Sequence, residues 1–128
     1  MVKLHDRLGL PVGYYQIHRA VLIGLPVTLA DDLAAELDVP RSQVIKWVGA
    51  SSRHSAMSAR ASEVFCRLVD TLDALLELHD GDRDGALRWL TSPIQTLACE
   101  RPVDLIVTQS GQRAVLQVIL SIEYGLPV

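Results

Sequence analysis

A chain of 128 residues holds one domain of ordinary size or two small helical lobes sharing a core. Apolar residues make up 49% and aromatic residues 5%, so the core is aliphatic, and a stacking platform for single-stranded nucleic acid is not expected. The formal charge of −3 argues against a chain-wide phosphate-binding surface but leaves room for a local basic patch.

Taken in order, Met1 to Val12 mixes charge with Leu8, Leu10 and Pro11 and predicts an arm without regular structure that packs by its leucines. Gly13 to Ile23 predicts a helix with Tyr14, Ile17, Ala20 and Val21 on one face, ended by Gly24-Leu25-Pro26. The run from Ala20 to Ala30 is too short to span a bilayer, so a cytoplasmic protein without a membrane partner is expected. Thr28 is placed to cap a second helix through Leu37, with Asp31 and Asp32 in its first turn and Leu29, Leu33, Ala34 and Leu37 as its buried stripe. Asp38-Val39-Pro40 breaks that helix. Arg41 to Val48 starts a third, with Val44, Ile45 and Val48 inward and Trp47 opposite. The turn Gly49-Ala50-Ser51 and a further segment from Ser52 to Ala56 complete the outline of a helix-turn-helix. That last segment is only about one helical turn long. Arg41, Lys46 and Arg53 can contact phosphates, but so short a reader predicts weak operator DNA binding.

Ser58 to His79 predicts the longest helix, with Val64, Leu68, Leu72, Leu75 and Leu76 inward and Arg67, Asp70, Asp73 and Glu77 on a solvated face. Asp80 to Gly85 matches the first half of a calcium loop, yet Thr91 stands where such a loop needs a bidentate glutamate. The stretch reads as an acidic turn before a short helix with Ala86, Trp89 and Leu90. His5, His18, His54 and His79 are scattered, Cys66 and Cys99 give neither a disulfide framework nor zinc-ligand spacing, and no phosphate-cradling glycine loop occurs. Neither a cofactor nor a catalytic role is expected. Pro102 suits a first helical position and Asp104 the same positively polarised turn, so a short helix begins at about Arg101. Gly111 predicts its stop and Ser110 a cap for the last helix, whose stripe is Val115, Val118, Ile119 and Ile122. Leu116 and Leu120 lie off that stripe and need a second cover, from the domain itself or from a partner. Trp89 is either a core anchor or an interface residue. Gly125 ends the last helix and Pro127 prevents its resumption.

The succession Ala86, Trp89, Leu90, Pro93, Leu97, Arg101-Pro102, Asp104-Leu105-Ile106, Thr108 and Gly111 before an apolar helix resembles the Xre/MbcA/ParS antitoxin family. The run from Met57 to Leu68 is similar too, with Ser62 and Arg67 at family positions, and the resemblance covers Leu25 to Val128. It implies an all-α fold, with an arm and helix-turn-helix-like (Xre-like) lobe at 1–57, a connecting helix at 58–79 and a toxin-binding domain with an extended tail at 80–128. The implied partner is a cognate RES-domain toxin that consumes NAD, bound by a homodimer or a higher hetero-oligomer. Carried over, the toxin-binding residues are Trp89, Gln112, Arg113, Leu116, Glu123, Tyr124, Gly125, Leu126, Pro127 and Val128. The tail either frays or enters the toxin's NAD cleft, where the Glu123 or terminal carboxylate would mimic a pyrophosphate. Two features depart from the family: the Arg-rich stretch after its DNA-reading helix is missing, and Ala98-Cys99 replaces its usual Gly-Gly. The second departure predicts a loop conformation open to residues with a Cβ. Three functions follow: an antitoxin, a helix-turn-helix DNA-binding repressor that acts alone or on its own operon, and last a small enzyme or calcium-binding domain. Whether the toxin hydrolyses NAD, phosphorolyses it or transfers ADP-ribose is a property of the partner.

Overall fold

A computed structural model describes residues 2–125. Among these the chain is all-α, with eight α-helices, one 3₁₀ turn and only isolated β-bridges. It divides into two compact units, Val2–Cys66 and a second from Arg67 onward, so the boundary falls inside the longest helix.

The first unit contains α1 (Leu4–Arg7), α2 (Tyr14–Ile23), α3 (Thr28–Leu37), α4 (Arg41–Val48) and the start of α5 (Ala59–Leu78). Where no regular structure is expected, α1 forms a single turn. Burial of Leu4, Leu8 and Leu10 holds the arm down, as the leucine content predicts. On α2 only Val21 is fully buried, and Tyr14, expected on the inward face, is 95% exposed. Side chains lean toward the start of their helix, so a first-position tyrosine projects past the end of α2 instead of onto the core. Thr28 is the first residue of α3 and not its cap; the capping position is Val27, which has no side-chain bond to offer.

Helices α3 and α4 pack on each other. They bury Ala30, Leu33, Ala34 and Leu37 against the core together with Val44 and Val48, while Ile45 and Trp47 are half-buried. The connection is three residues long, with Asp38 in the left-handed conformation (φ 55°) and the Val39 N–H donating to the Ala34 carbonyl at 3.0 Å. The two helices and their three-residue connection precede the segment that the sequence predicts as the second half of a helix-turn-helix. Residues 52–56 form no helical turn. Of residues 51–57 only Met57 is buried, so a helix there would have no apolar face to cover. The segment straps back instead: Val27 N–H donates to Ser55 O at 2.8 Å and Met57 N–H to Leu25 O at 2.7 Å. Ser58 then caps α5 by accepting from the Ala61 N–H, and the buried Ser62 hydroxyl accepts from the Leu25 N–H at 2.9 Å.

The second unit holds the rest of α5 with α6 (Arg83–Leu90), the 3₁₀ turn Gln95–Leu97, α7 (Pro102–Leu105) and α8 (Gln109–Glu123). Leu68, Val69, Leu72 and Leu75 bury the α5 stripe, with Leu76 half-buried. After α5, Asp80 and Gly81 are both left-handed, and the Gly81 N–H returns to the Leu76 carbonyl at 2.7 Å. The acidic stretch is therefore a helix stop followed by the Asp82 N-cap of α6.

The loop before α7 closes with an Ile94–Glu100 bridge and a Cys99 N–H bond to Ile94 O at 3.0 Å. Here the expectation for Ala98-Cys99 fails. Both residues sit in the left-handed region, at φ 56° and 62°, so the loop keeps a glycine-type conformation in spite of two Cβ atoms. Ala98→Gly and Cys99→Gly should each stabilise the fold by about 1 kcal/mol, raising Tm by roughly 3–5 °C in calorimetry. A fall in Tm for both would show that neither backbone is strained.

Candidate partner-binding surface

The exposed surface of α8 depends on how its first turn is seated. Pro102 opens α7 at the position where a missing N–H is harmless, and the Arg101 guanidinium makes two 2.9 Å bonds to the Asp104 carboxylate. That hydrogen bonding, and next the carboxylate charge, hold the Arg101 pKa above its ordinary value. Thr108, not Ser110, caps α8, its Oγ1 accepting from the Gly111 N–H at 3.0 Å. Gly111 consequently lies inside the helix and does not end one. A Cβ there would stand 1.9 Å from the Leu105 carbonyl oxygen, so this glycine serves close approach of α7 and α8.

Arg67 supplies the other half of the seat. Its Nε donates to the Ile106 carbonyl at 2.7 Å and its Nη2 to the Val107 carbonyl at 3.0 Å, which satisfies acceptors at the end of α7. In return, the Arg67 carbonyl accepts from the Gln112 amide at 3.3 Å and from the Thr71 hydroxyl at 2.8 Å. Arg67 is thus a half-buried fork and not part of a solvated face.

With its start fixed, α8 buries Val115, Val118 and Ile119. Ile122, placed on the same stripe by spacing, is 40% exposed, because the stripe runs out at the end of the helix. The outer side of α8 carries Arg113, Leu116, Gln117, Leu120 and Glu123. Together with Ala74 of α5 and Ile119 they line an open groove of about 360 Å³ that is apolar along its floor and charged at its ends. Leu120 is 51% exposed. Tyr124 follows at 70% exposure, and Gly125 (φ 67°) ends the helix as predicted.

Residues 71–125 match the family model described as the antitoxin Xre/MbcA/ParS C-terminal toxin-binding domain. The matched span contains the groove, Trp89 and the α7–α8 corner. Relatives of the whole chain include the antitoxin Xre of Yersinia enterocolitica, 25% identical over 132 residues that cover 96% of this chain and 89% of the relative. The antitoxin Xre of Photorhabdus laumondii is 28% identical over 111 residues, covering 80% and 75% respectively. The chain is thus similar to these antitoxins, to the toxin-binding model within its second unit and to the two relatives along most of its length.

The structure brings Arg113, Leu116 and Glu123 to one groove, with Tyr124 and Gly125 following Glu123 in sequence. Gln112 is turned inward to the Arg67 carbonyl. Trp89 on α6 is half-buried, between the two roles open to it, and Leu126, Pro127 and Val128 lie outside the described residues. In the first unit, Lys46 and Arg53 are exposed and Arg41 is ion-paired with Asp31. Sequence reasoning missed Ala74, Gln117 and Ile119 as groove residues. The signal for Leu120 was present in its offset from the buried stripe. Ala74 carried none, since only the packed structure shows that a small side chain on α5 leaves a gap.

Gly111→Ala should destabilise the protein by about 3 kcal/mol or more, because the obstacle is backbone and one helix must move. Thermal unfolding would then fall by roughly 10 °C or more. A Tm within 2 °C or so of the parent, on the order of measurement scatter for a surface change, would contradict the close approach of α7 and α8.

Proposed function

We propose that this chain is an antitoxin that neutralises a cognate RES-domain, NAD-consuming toxin, with α8 and the residues after it occluding the toxin's substrate site. The observation that carries the reading is the coincidence of the toxin-binding match, residues 71–125, with the unit whose last helix presents half-buried Leu116 and exposed Leu120 between Arg113 and Glu123, with exposed Tyr124 just after. A monomer gains nothing from solvating such a stripe, whereas a partner that covers it gains apolar burial with a charged rim. A site for NAD must receive a pyrophosphate and so presents cationic groups; the Glu123 carboxylate supplies a matching anion, and Tyr124 and Leu126 apolar contact. The chain's own role is binding, so no catalytic residue is assigned.

The test is deletion of Leu126 to Val128, with toxin affinity and NAD turnover measured on the complex. Occlusion by the tail predicts a truncated protein that still binds through α8 yet lets turnover return. Full inhibition at saturating NAD by the truncated protein would place inhibition on the groove surface instead.

A second reading, DNA binding by the first unit, is favoured by the short turn between α3 and α4 and by exposed Lys46 on α4 and Arg53 beyond it. With Arg41 held by Asp31, phosphate contacts dominate and base readout is weak. Lys46→Ala should lower the slope of log affinity against log salt by about one. An unchanged slope would remove Lys46 from the DNA face.

A further inference from the structure

Between Asp38 and Glu63 the chain has no carboxylate, although its net charge is −3, and this stretch carries Arg41, Lys46, Arg53 and Arg60. Asp31 holds Arg41, which leaves Lys46 on α4, Arg53 in the strap at 51–57 and Arg60 on α5 as exposed cations. The strap is built unlike the helices on either side of it. Every residue from Ser51 to Ala56 is exposed, and Arg53 and His54 are the only long side chains among them. Neither has a side-chain partner among the described residues. The backbone is nevertheless pinned: the Arg53 N–H donates to Ser51 Oγ at 3.2 Å, Ser55 O accepts from the Val27 N–H, and the Met57 N–H donates to Leu25 O. A tip held in this way offers an arginine and a histidine side by side, with less left to order on binding than in a free loop.

A single non-helical chain suits the minor groove of B-DNA, about 6 Å wide, whereas the major groove, about 12 Å wide, takes a whole helix. Over A·T runs the minor groove is narrower still, and its deeper negative potential draws in arginine and histidine. In G·C pairs the 2-amino group of guanine stands on the same floor. The serines and the alanine around Arg53-His54 put no bulk in the way of entry. We propose that the strap reads DNA through the minor groove, with Arg53 and His54 entering at A·T-rich steps while Lys46 and Arg60 contact phosphates. The inference rests on the DNA-binding reading of the first unit and gives it a target class: an A·T tract selected by groove shape, in place of bases read by a helix in the major groove.

Fluorescence anisotropy of the full chain on A·T, G·C and inosine·C duplexes of equal length, at one fixed low salt concentration, tests the proposal. Inosine lacks the 2-amino group of guanine and keeps its major-groove edge, so the inosine duplex resembles A·T in the minor groove alone. The A·T and inosine duplexes should be bound at least about fivefold more tightly than G·C. Arg53→Ala should bring both down to the G·C affinity, and its remaining G·C binding shows that the variant is folded. Lys46→Ala should weaken every duplex alike and keep the preference. Equal binding of the parent to the three duplexes overturns the proposal. So does an A·T preference that the inosine duplex does not share, or one that survives Arg53→Ala. Each of those results requires bound DNA and so leaves the DNA-binding reading in place. Binding to no duplex would refute that reading and this proposal together, with the antitoxin reading untouched.

Discussion

Two hydrogen bonds from one guanidinium, Arg67 to the Ile106 and Val107 carbonyls, set the position from which α8 departs. Carbonyls at the end of a four-residue helix lack the N–H partners that a continuing helix would supply, and water is the alternative donor to them. A charged donor answers them with stronger bonds than a neutral one would make. The Thr108 cap and the missing Cβ at Gly111 complete the corner, which lets α8 leave at contact distance from α7. Everything proposed for the outer face of α8 depends on this, since the same seat that turns Val115 and Ile119 inward turns Arg113, Leu120 and Glu123 outward.

The two units place different demands on a short chain. In the first, α3 and α4 obtain their stability from each other through a tight connection, and the strap at 55–57 bonds back to 25–27 instead of adding another helix. In the second, the core is made by helices of very unequal length, so one arginine, one glycine and one threonine carry much of the definition of the corner. The family match lies in this second unit. A surface for a protein partner is better built on a rigid helix than on a loop, and α8, 15 residues long, is the longest helix after α5.

Helices with a clear apolar stripe were legible from the residues alone: α5 from Val64, Leu68, Leu72 and Leu75, and α7 from Pro102 and Asp104. Three kinds of residue were not. Gly111 is consistent with a helix stop and with close approach, because both need the absence of a Cβ, and only the neighbouring Leu105 carbonyl separates them. Thr108 and Ser110 are both good caps two residues apart, and the end of α7 decides between them. Arg67 falls on the polar side of α5 by spacing, yet its partners are about forty residues away in sequence and no periodicity reports them. Ala98 and Cys99 were misread for a related reason: the chemistry of their side chains opposes the left-handed backbone that the Ile94–Glu100 closure imposes. Arg113, Leu116 and Glu123, named from the sequence, line one groove, and Ala74, which lines it too, was not legible.

Arg67 seats α8 through its two bonds to the Ile106 and Val107 carbonyls. Native-state hydrogen exchange on Arg67→Met measures that seating directly, because methionine fills similar space without donating to either carbonyl. Loss of two charge-assisted bonds should reduce protection of the amides from Gln112 to Leu116 by roughly 10- to 100-fold, with those of α3 unaffected. Unchanged protection at the start of α8 in that variant would mean that packing alone holds the helix, and that the fork is an ornament of the corner and not its cause.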